Sequence, residues 1–129
     1  MTYKVYGEKQ KGKQPPESAE MVTFFNELRA RYPEIARLAT HIKNEGKRTM
    51  AQAQRDKAEG LVTGFPDVVI VGAPAFVCEM KSKSKTSRVS PEQKEILNAM
   101  SERGVFACVA YGWEAAMQAV EDWLDAQRR

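Results

Sequence analysis

The sequence contains few of the residues that build disulfide-rich, zinc-binding and membrane-spanning proteins. Among its 129 residues are two cysteines, Cys78 and Cys108, and one histidine, a set that matches no zinc-binding spacing. No apolar run approaches the roughly 18 residues of a membrane-spanning helix, and the polar start lacks the apolar block of a secretory signal. Because both cysteines lie in apolar stretches, we expect reduced thiols and a cytoplasmic protein without disulfides.

Acidic and basic residues are nearly balanced in number but are distributed unevenly along the chain. Twenty lysines and arginines against 17 aspartates and glutamates give a formal net charge of +3. Basic residues cluster at 4–13, at 37–57 and in the acid-free stretch 81–88, whereas residues 114–129 are net acidic. This segregation favours a face that contacts a polyanion, and the alternative is that the short lysine-rich runs are solvated loops.

Length and composition predict one compact domain, since hydrophobic residues make up 43% and charged residues 29% of the chain. Residues 1–16 show no periodicity and end in two prolines, so we expect a flexible basic N-terminal arm before a single domain at 17–129. Within that domain, Ser18 is predicted to cap a first helix that ends before Pro33. Residues 34–42 fit either a strand or a helix.

Turn residues and capping signals predict the remaining elements. Residues 67–71 and 75–81 have the apolar, β-branched pattern of buried strands, joined by a turn at 72–74. Residues 90–93, SPEQ, form a capping-box signature at the start of a helix. The other expected elements are a helix at 49–59, a strand at 105–111 and a helix at 113–127. This order predicts an α/β fold with a small mixed sheet flanked by helices.

Two carboxylates and a lysine come together if the turn of the predicted hairpin has three residues. Val71 then faces Ala75, and Asp67 lies opposite Glu79 at a Cβ separation of about 4.5–5.5 Å, where like charges destabilise a sheet. Lys81 projects from the same face as Glu79. A Mg²⁺ ion would relieve the repulsion, because it takes oxygen ligands from one or two carboxylates. A two-residue turn would place the two acids on opposite faces and remove the site.

A structural role for these residues is the competing interpretation. Asp67 can simply begin a strand after Pro66, and Glu79 with Lys81 can form a surface ion pair that contributes little stability. The rest of the second strand is apolar, however, and charged residues are rarely placed in a buried strand without a function. The apolar context therefore favours a functional site.

Three short motifs occur in a fixed order: G-F-P-D at 64–67, E-M-K at 79–81 and S-P-E-Q at 90–93. This set resembles the VRR-NUC (virus-type replication-repair nuclease) form of the PD-(D/E)xK nuclease signature, and the similarity extends over about 17–124, including the turn at 44–48. The resemblance implies a restriction-endonuclease-like fold and an endonuclease that hydrolyses DNA phosphodiesters with Mg²⁺ or Mn²⁺. It further implies a bacterial or phage-infected host cell, a homodimer, and branched DNA such as Holliday junctions or flaps as substrate.

The resemblance also implies roles for individual residues. Asp67 and Glu79 correspond to metal ligands, with the Met80 carbonyl as a further oxygen. Lys81 corresponds to the catalytic lysine that orients water and steadies developing charge. Gln93 matches the glutamine of the family site, although a capping-box glutamine needs no catalytic explanation.

The family also has a catalytic, metal-binding acid in its first helix, and three glutamates compete for that role here. Glu20 fits best by its distance before the phenylalanine pair at 24–25. Glu17 is near enough to compete, and Glu27 fits less well. The sequence therefore favours Glu20 as the third acid of the site.

Basic and aromatic residues outside the motifs carry weaker expectations. Three residues after the catalytic lysine are expected to contact phosphates: Lys83, Lys85 and Arg88. Three residues of the family-like turn are candidates for the same role, with a solvated turn as the alternative: Asn44, Lys47 and Arg48. His41 is expected to be a partly buried structural residue, and Trp113 and Trp123 are expected in the core or an interface.

Two other functions fit the same sequence. One is a non-catalytic nucleic-acid-binding module of the same fold, and the other is an enzyme that acts on a small phosphate ester. A binding module gains nothing from two acids that face phosphate, so the presence of Asp67, Glu79 and Lys81 together favours the nuclease. The dispersed basic segments disfavour a small substrate.

Overall fold

The computed structural model describes residues 2–43 and 49–128, which form a mixed α/β fold. The strands are β1 (Lys4–Tyr6), β2 (Ala39–His41), β3 (Val68–Ile70), β4 (Phe76–Lys81) and β5 (Phe106–Tyr111). The helices are α1 (Glu17–Arg31), α2 (Pro33–Ala36), α3 (Met50–Ala58), α4 (Pro91–Glu102) and α5 (Trp113–Gln127). The five strands form one sheet in the order β1-β5-β4-β3-β2.

The sheet is mixed because hairpins and crossovers connect its strands in different ways. Strand β3 pairs antiparallel with both β2 and β4. Strand β4 pairs parallel with β5, and α4 provides the crossover that a parallel pair requires. Strand β1 forms a second parallel pair on the outer side of β5. The small mixed sheet flanked by helices that the sequence predicts is therefore confirmed.

Strand β1 corrects the prediction that residues 1–16 form a flexible arm. Lys4–Tyr6 pair with Cys108, Val109 and Ala110 of β5, and Gln10 makes a further parallel bridge to Ser84. A three-residue strand is too short to show a periodic pattern, and its partner lies at the other end of the chain. Local sequence therefore could not reveal it.

A capping box starts helix α4, and prolines flank helix α1. Ser90 Oγ accepts the Gln93 N–H at 3.1 Å and Gln93 Oε1 accepts the Ser90 N–H at 2.8 Å, which confirms the predicted capping box of α4. Helix α1 ends before Pro33 as expected. Its N-cap position is held by Pro16, so the predicted cap at Ser18 is wrong. The extended backbone of Pro16 already leads the chain into the first helical turn.

The segment at 34–42, which the sequence leaves open, contains both kinds of structure. It begins in α2 and ends with β2, so each interpretation holds for part of it. The predicted helix at 113–127 has the bounds of α5, and the helix predicted at 49–59 corresponds to α3. Strand β2 lies at the edge of the sheet beside β3, and β3 begins one residue after Asp67.

Two apolar clusters hold the helices on opposite faces of the sheet. Helices α1 and α5 pack on one face through residues that include Phe24 and Trp123. Helix α4 packs on the other face, where Leu97 meets Val77 and Val109. Side chains alternate between the faces along a strand, so Glu79 and Lys81 share the Val77 face with α4. This arrangement brings the first turn of α4 close to the acids of the hairpin.

The tryptophans and cysteines belong to the core, as the sequence suggests. Trp123 is buried and its indole N–H donates to the Pro74 carbonyl at 2.9 Å, while Trp113 packs half-buried against the same cluster. Cys78 and Cys108 are buried free thiols, so the absence of a disulfide between them is confirmed. Within the described residues, no helix combines the length and the apolar character needed to cross a membrane.

Candidate active site

The register of the β3–β4 hairpin brings Asp67 opposite Glu79. Val68 pairs with Cys78, and the pairing continues outward from a three-residue turn. One further step along both strands aligns Asp67 with Glu79, as the three-residue turn predicts. The Oδ2 atom of Asp67 also accepts the Met80 N–H at 3.1 Å, which fixes the aspartate at the strand end.

A third carboxylate joins this pair from the first residue of α1. One carboxylate oxygen from each of Glu17, Asp67 and Glu79 lies within 4.8 Å of the other two. These acids line a cavity of about 510 Å³, together with Lys81 and Gln93. The hairpin and the starts of two helices therefore meet at one end of the sheet.

Glu20, which the sequence favours as the third acid, lies elsewhere. It is 2% exposed, its Oε1 accepts the Trp113 N–H at 3.0 Å, and it does not line the acidic cavity. Because Glu20 precedes Phe24 by four residues, it shares the buried face of α1. Glu17 starts the helix and reaches the cavity instead. The assignment of Glu20 to the acid cluster is therefore corrected to Glu17.

Lys81 and Gln93 both contact Glu79. The Lys81 Nζ lies 3.5 Å from Glu79 Oε2, and the lysine side chain is 12% exposed. Gln93 Nε2 donates to the same oxygen at 3.0 Å, while Gln93 Oε1 accepts the Ser90 N–H. The capping role and the site role, which the sequence treats as alternatives for Gln93, are thus performed together by one amide group.

Burial raises the pKa of both acids of the Asp67–Glu79 pair. Burial and, after it, the neighbouring Asp67 charge together raise the pKa of Glu79 to about 8, while Lys81 opposes the shift. Burial also raises the pKa of Asp67, against hydrogen bonds from Glu79 and the Met80 N–H that lower it. Glu79 is therefore mainly protonated at neutral pH when no cation offsets the neighbouring charge.

The donor set suits a hard divalent cation. Glu17, Asp67 and Glu79 supply carboxylate oxygens, the ligands that Mg²⁺ and Mn²⁺ prefer. Glu79 Oε1 is buried and has no hydrogen-bond donor among the residues that the structure describes. A buried oxygen without a donor is costly unless a cation compensates it. Met80 lies between Glu79 and Lys81 in β4, and its carbonyl as a ligand stays a prediction.

Part of the cavity lining is an apolar wall. Met21 and Val22 of α1 form this wall with Ile42 and Phe65. His41, expected to be structural, is half-buried and also lines the cavity. It pairs with Val68 across the β2–β3 ladder and so lies next to Asp67. The sequence does not predict this position of His41, because residues 34–42 fit either a strand or a helix and the pairing partner of His41 is therefore unknown.

The predicted DNA-binding residues differ in their surroundings. Lys83 Nζ lies 3.7 Å from a Glu114 oxygen and 4.0 Å from Glu20 Oε2, and its side chain is 20% exposed. This lysine is therefore engaged by acids of the fold, against the expectation of a free phosphate contact. Lys85 and Arg88 are exposed. Three further candidates lie outside the described residues: Asn44, Lys47 and Arg48.

Comparisons of the chain with protein-family models, with curated proteins and with solved structures find no match. The case for a function therefore depends on the site itself. That site combines three clustered carboxylates, a largely buried lysine and an amide within one cavity.

Proposed function

We propose that this protein is a Mg²⁺- or Mn²⁺-dependent endonuclease that hydrolyses phosphodiester bonds in DNA, with a restriction-endonuclease-like fold of the VRR-NUC type. The observation that carries the proposal is the grouping of Glu17, Asp67 and Glu79 beside Lys81 in one cavity. Carboxylates repel one another and also repel a phosphate. A divalent cation removes both repulsions, because it binds the carboxylates and the phosphate together. A lysine beside them provides a second positive charge for the same phosphate.

Five polar residues of the cavity share three parts in the proposed reaction. Glu17, Asp67 and Glu79 would hold the cation, which neutralises phosphate charge and makes a water molecule more acidic. The Lys81 ammonium orients the attacking water and stabilises the negative charge that develops on the phosphate. Gln93 holds the Glu79 carboxylate in one orientation through its 3.0 Å hydrogen bond.

The shape of the cavity supports a nucleic acid as substrate. A phosphate near the acids would have its sugar or base against the apolar wall of Met21, Val22, Ile42 and Phe65. The exposed cations Lys85 and Arg88 follow Lys81 in the chain, which suits a substrate that extends beyond one phosphate. The preference for branched DNA, such as junctions or flaps, rests on the motif resemblance described above.

Cleavage assays with defined substrates test the proposal. Labelled junction, flap, nicked and linear duplex DNA are incubated with the protein in Mg²⁺, Mn²⁺ or EDTA. We expect cleavage with either metal, none in EDTA, and none with Asp67→Asn. The matched control is Asp125→Asn on α5, which removes an exposed carboxylate that pairs with Arg128. Metal-independent cleavage, or full activity of Asp67→Asn, would contradict the proposal. Tight DNA binding without cleavage under all conditions would support a binding module instead.

We also propose that the protein acts as a homodimer. Paired cuts at a symmetric junction need two active sites related by a twofold axis. Light scattering should then give about twice the 14.5 kDa of one chain. A monomer mass together with paired cuts would contradict the dimer.

A further inference from the structure

The N-terminal segment and the loop after Lys81 are joined in space. The Gln10 N–H donates to the Lys83 carbonyl at 2.7 Å, and Gln10 forms a parallel bridge with Ser84. Two basic segments that are far apart in sequence therefore run side by side. This contact lies beyond the five-stranded sheet.

Side-chain hydroxyl groups fix the conformation of the loop at 82–88. Ser82 Oγ and Ser87 Oγ lie 2.8 Å apart, and the Ser87 hydroxyl also donates to the Ser82 carbonyl at 2.8 Å. Ser84 Oγ and Thr86 Oγ1 lie 2.8 Å apart. The serines and threonine therefore hydrogen-bond the loop that carries Lys85 and Arg88 into a defined turn.

The joined segments present mainly positive charge to solvent. Lys11, Lys13, Lys85 and Arg88 are exposed, and Glu8 is the single acid within 8–13 and 82–88. A row of exposed cations with so few counter-charges attracts a polyanion. We refer to the exposed side chains of 9–13 and 85–88 as the paired basic strip.

Both halves of the paired basic strip lie close in sequence to residues of the candidate active site. Lys13 lies four residues before Glu17, and Lys85 lies four residues after Lys81. Four residues of fully extended chain span at most about 14 Å, so both cations lie within that Cα distance of a site residue. A duplex whose phosphate occupied the cavity would therefore have neighbouring phosphates within reach of the strip, since a helical turn of DNA is about 34 Å long.

We propose that the paired basic strip binds the phosphate backbone of duplex DNA and holds it across the active site. The inference rests on the proposed nuclease function, because the choice of DNA over another polyanion comes from the phosphodiester chemistry of the adjoining cavity. The pairing through Gln10 is essential to it, since this contact makes the N-terminal lysines and the loop cations one surface.

Salt dependence of DNA binding measures the number of phosphates contacted. Fluorescence anisotropy with a labelled 20-base-pair duplex is recorded over a series of NaCl concentrations in EDTA, so that cleavage does not interfere. Each phosphate contact contributes about −0.9 to the slope of log affinity against log salt. We expect Lys11→Gln/Lys13→Gln and Lys85→Gln/Arg88→Gln each to flatten the slope by up to roughly 1.8, and all four changes together by up to roughly 3.6. The control pair Arg29→Gln/Arg128→Gln, two exposed cations outside the basic stretches 4–13, 37–57 and 81–88, should leave the slope unchanged.

A backbone substitution tests whether the two halves act as one surface. Gln10→Pro keeps every charge but removes the N–H that bonds to the Lys83 carbonyl. We expect it to flatten the slope about as much as Lys11→Gln/Lys13→Gln does. A variant that carries all three changes should flatten the slope little further. Gln10→Ala retains the N–H and should bind like the unmodified protein. A normal slope for Gln10→Pro would overturn the role of the pairing.

The outcomes separate this inference from the proposed function. An unchanged slope for the four-residue variant overturns the paired basic strip, whether or not the protein cleaves DNA. The predicted slopes in a protein that cleaves nothing support the strip and contradict the nuclease proposal.

Discussion

Two buried glutamates, Glu79 and Glu20, have similar burial and similar polar contacts, but only Glu79 belongs to the candidate active site. Glu79 and Glu20 are each 2% exposed, and each accepts one N–H at 3.0 Å, from Gln93 and Trp113 respectively. Each has a lysine within 4.0 Å. Each also keeps one oxygen without a hydrogen-bond donor among the described residues. Burial and a nearby lysine therefore do not distinguish a candidate site from a structural ion pair.

The difference lies in what else surrounds each carboxylate. Glu79 has Asp67 and Glu17 beside it and opens on a cavity, so its charge is opposed by further negative charge. Glu20 meets the N-terminal N–H of helix α5, where partial positive charge favours a carboxylate. The fold therefore supplies Glu20 with compensating charge, whereas the Glu79 cluster lacks enough without a cation. Extra acids, more than burial, define the candidate site.

The largest expected effect is the difference between Glu79→Gln and Glu20→Gln in cleavage. Glu79→Gln removes a cation ligand, and loss of several kcal/mol of transition-state stabilisation lowers the rate about a thousandfold or more. Glu20→Gln leaves the cluster intact and should cleave within a few-fold of the unmodified protein. Single-turnover cleavage measures the rates, and calorimetry with Mn²⁺ should show lost binding for Glu79→Gln alone. Equal losses in the two variants would mean that Glu20 belongs to the site.

The two lysines provide the next comparison. Lys81→Met should lower cleavage by about 10²–10³-fold, because it removes a charge that stabilises the transition state. Its Mn²⁺ affinity should change little. Lys83→Met should instead lower the urea midpoint, since it leaves buried Glu20 without its partner. A slower Lys83→Met enzyme of normal stability would show that Lys83 takes part in catalysis.

Two glycines test whether the amide contact to Glu79 matters. Gly64 and Gly104 both have positive φ, but a Cβ at Gly64 would come within 2.7–2.9 Å of the Glu92 and Gln93 backbone, whereas Gly104 has nothing within 4 Å. Gly64→Ala should shift the first turn of α4 and slow cleavage about 10–100-fold, the usual cost of disturbing a residue that orients a ligand. Gly104→Ala carries the backbone strain alone and should affect only stability.

The Gln93 variant completes that test. If Gly64 acts through the amide, Gly64→Ala should add little to the loss caused by Gln93→Ala. Additive losses in the double variant would place the effect of Gly64 elsewhere in the loop.

The last comparison concerns the pH dependence of stability in EDTA. Glu79 keeps its proton in the folded protein up to a pKa of about 8, compared with its ordinary value of 4.5. Its favourable contribution is complete below the unfolded value and is lost as pH rises through 8, so stability should fall across this window. Urea unfolding at pH 5, 6.5 and 8 should show a shallower fall for Glu79→Gln, with Glu20→Gln as the comparison. Mn²⁺ should stabilise the unmodified protein most at pH 8.

Local sequence patterns predict the hairpin and its acids because the physics there is local. The apolar runs on both sides of residues 72–74 fix which faces of β3 and β4 are buried, and a period of two then aligns Asp67 with Glu79. The capping box of α4 likewise depends on four consecutive residues. The sequence could not show that Gln93 also reaches Glu79, since that contact depends on how α4 packs on the sheet.

Non-local contacts account for the errors. Glu17 and Glu20 are separated by less than one helical turn, and the packing of α1 on the sheet decides which of them enters the cavity. Lys83 resembles a solvated loop cation in sequence, yet the fold places it between Glu20 and Glu114. Composition and spacing carry no information about such distant partners.

Strand β1 protects a part of the sheet that would otherwise be reactive towards other chains. It covers the backbone of β5 at Cys108, Val109 and Ala110. Without residues 1–16, which the sequence predicts to be a flexible arm, β5 would become an edge strand with unpaired N–H and C=O groups. Such an edge recruits strands from neighbouring molecules. A chain shortened to 17–129 should therefore aggregate through sheet extension, and its solution mass would report that artefact instead of the native assembly.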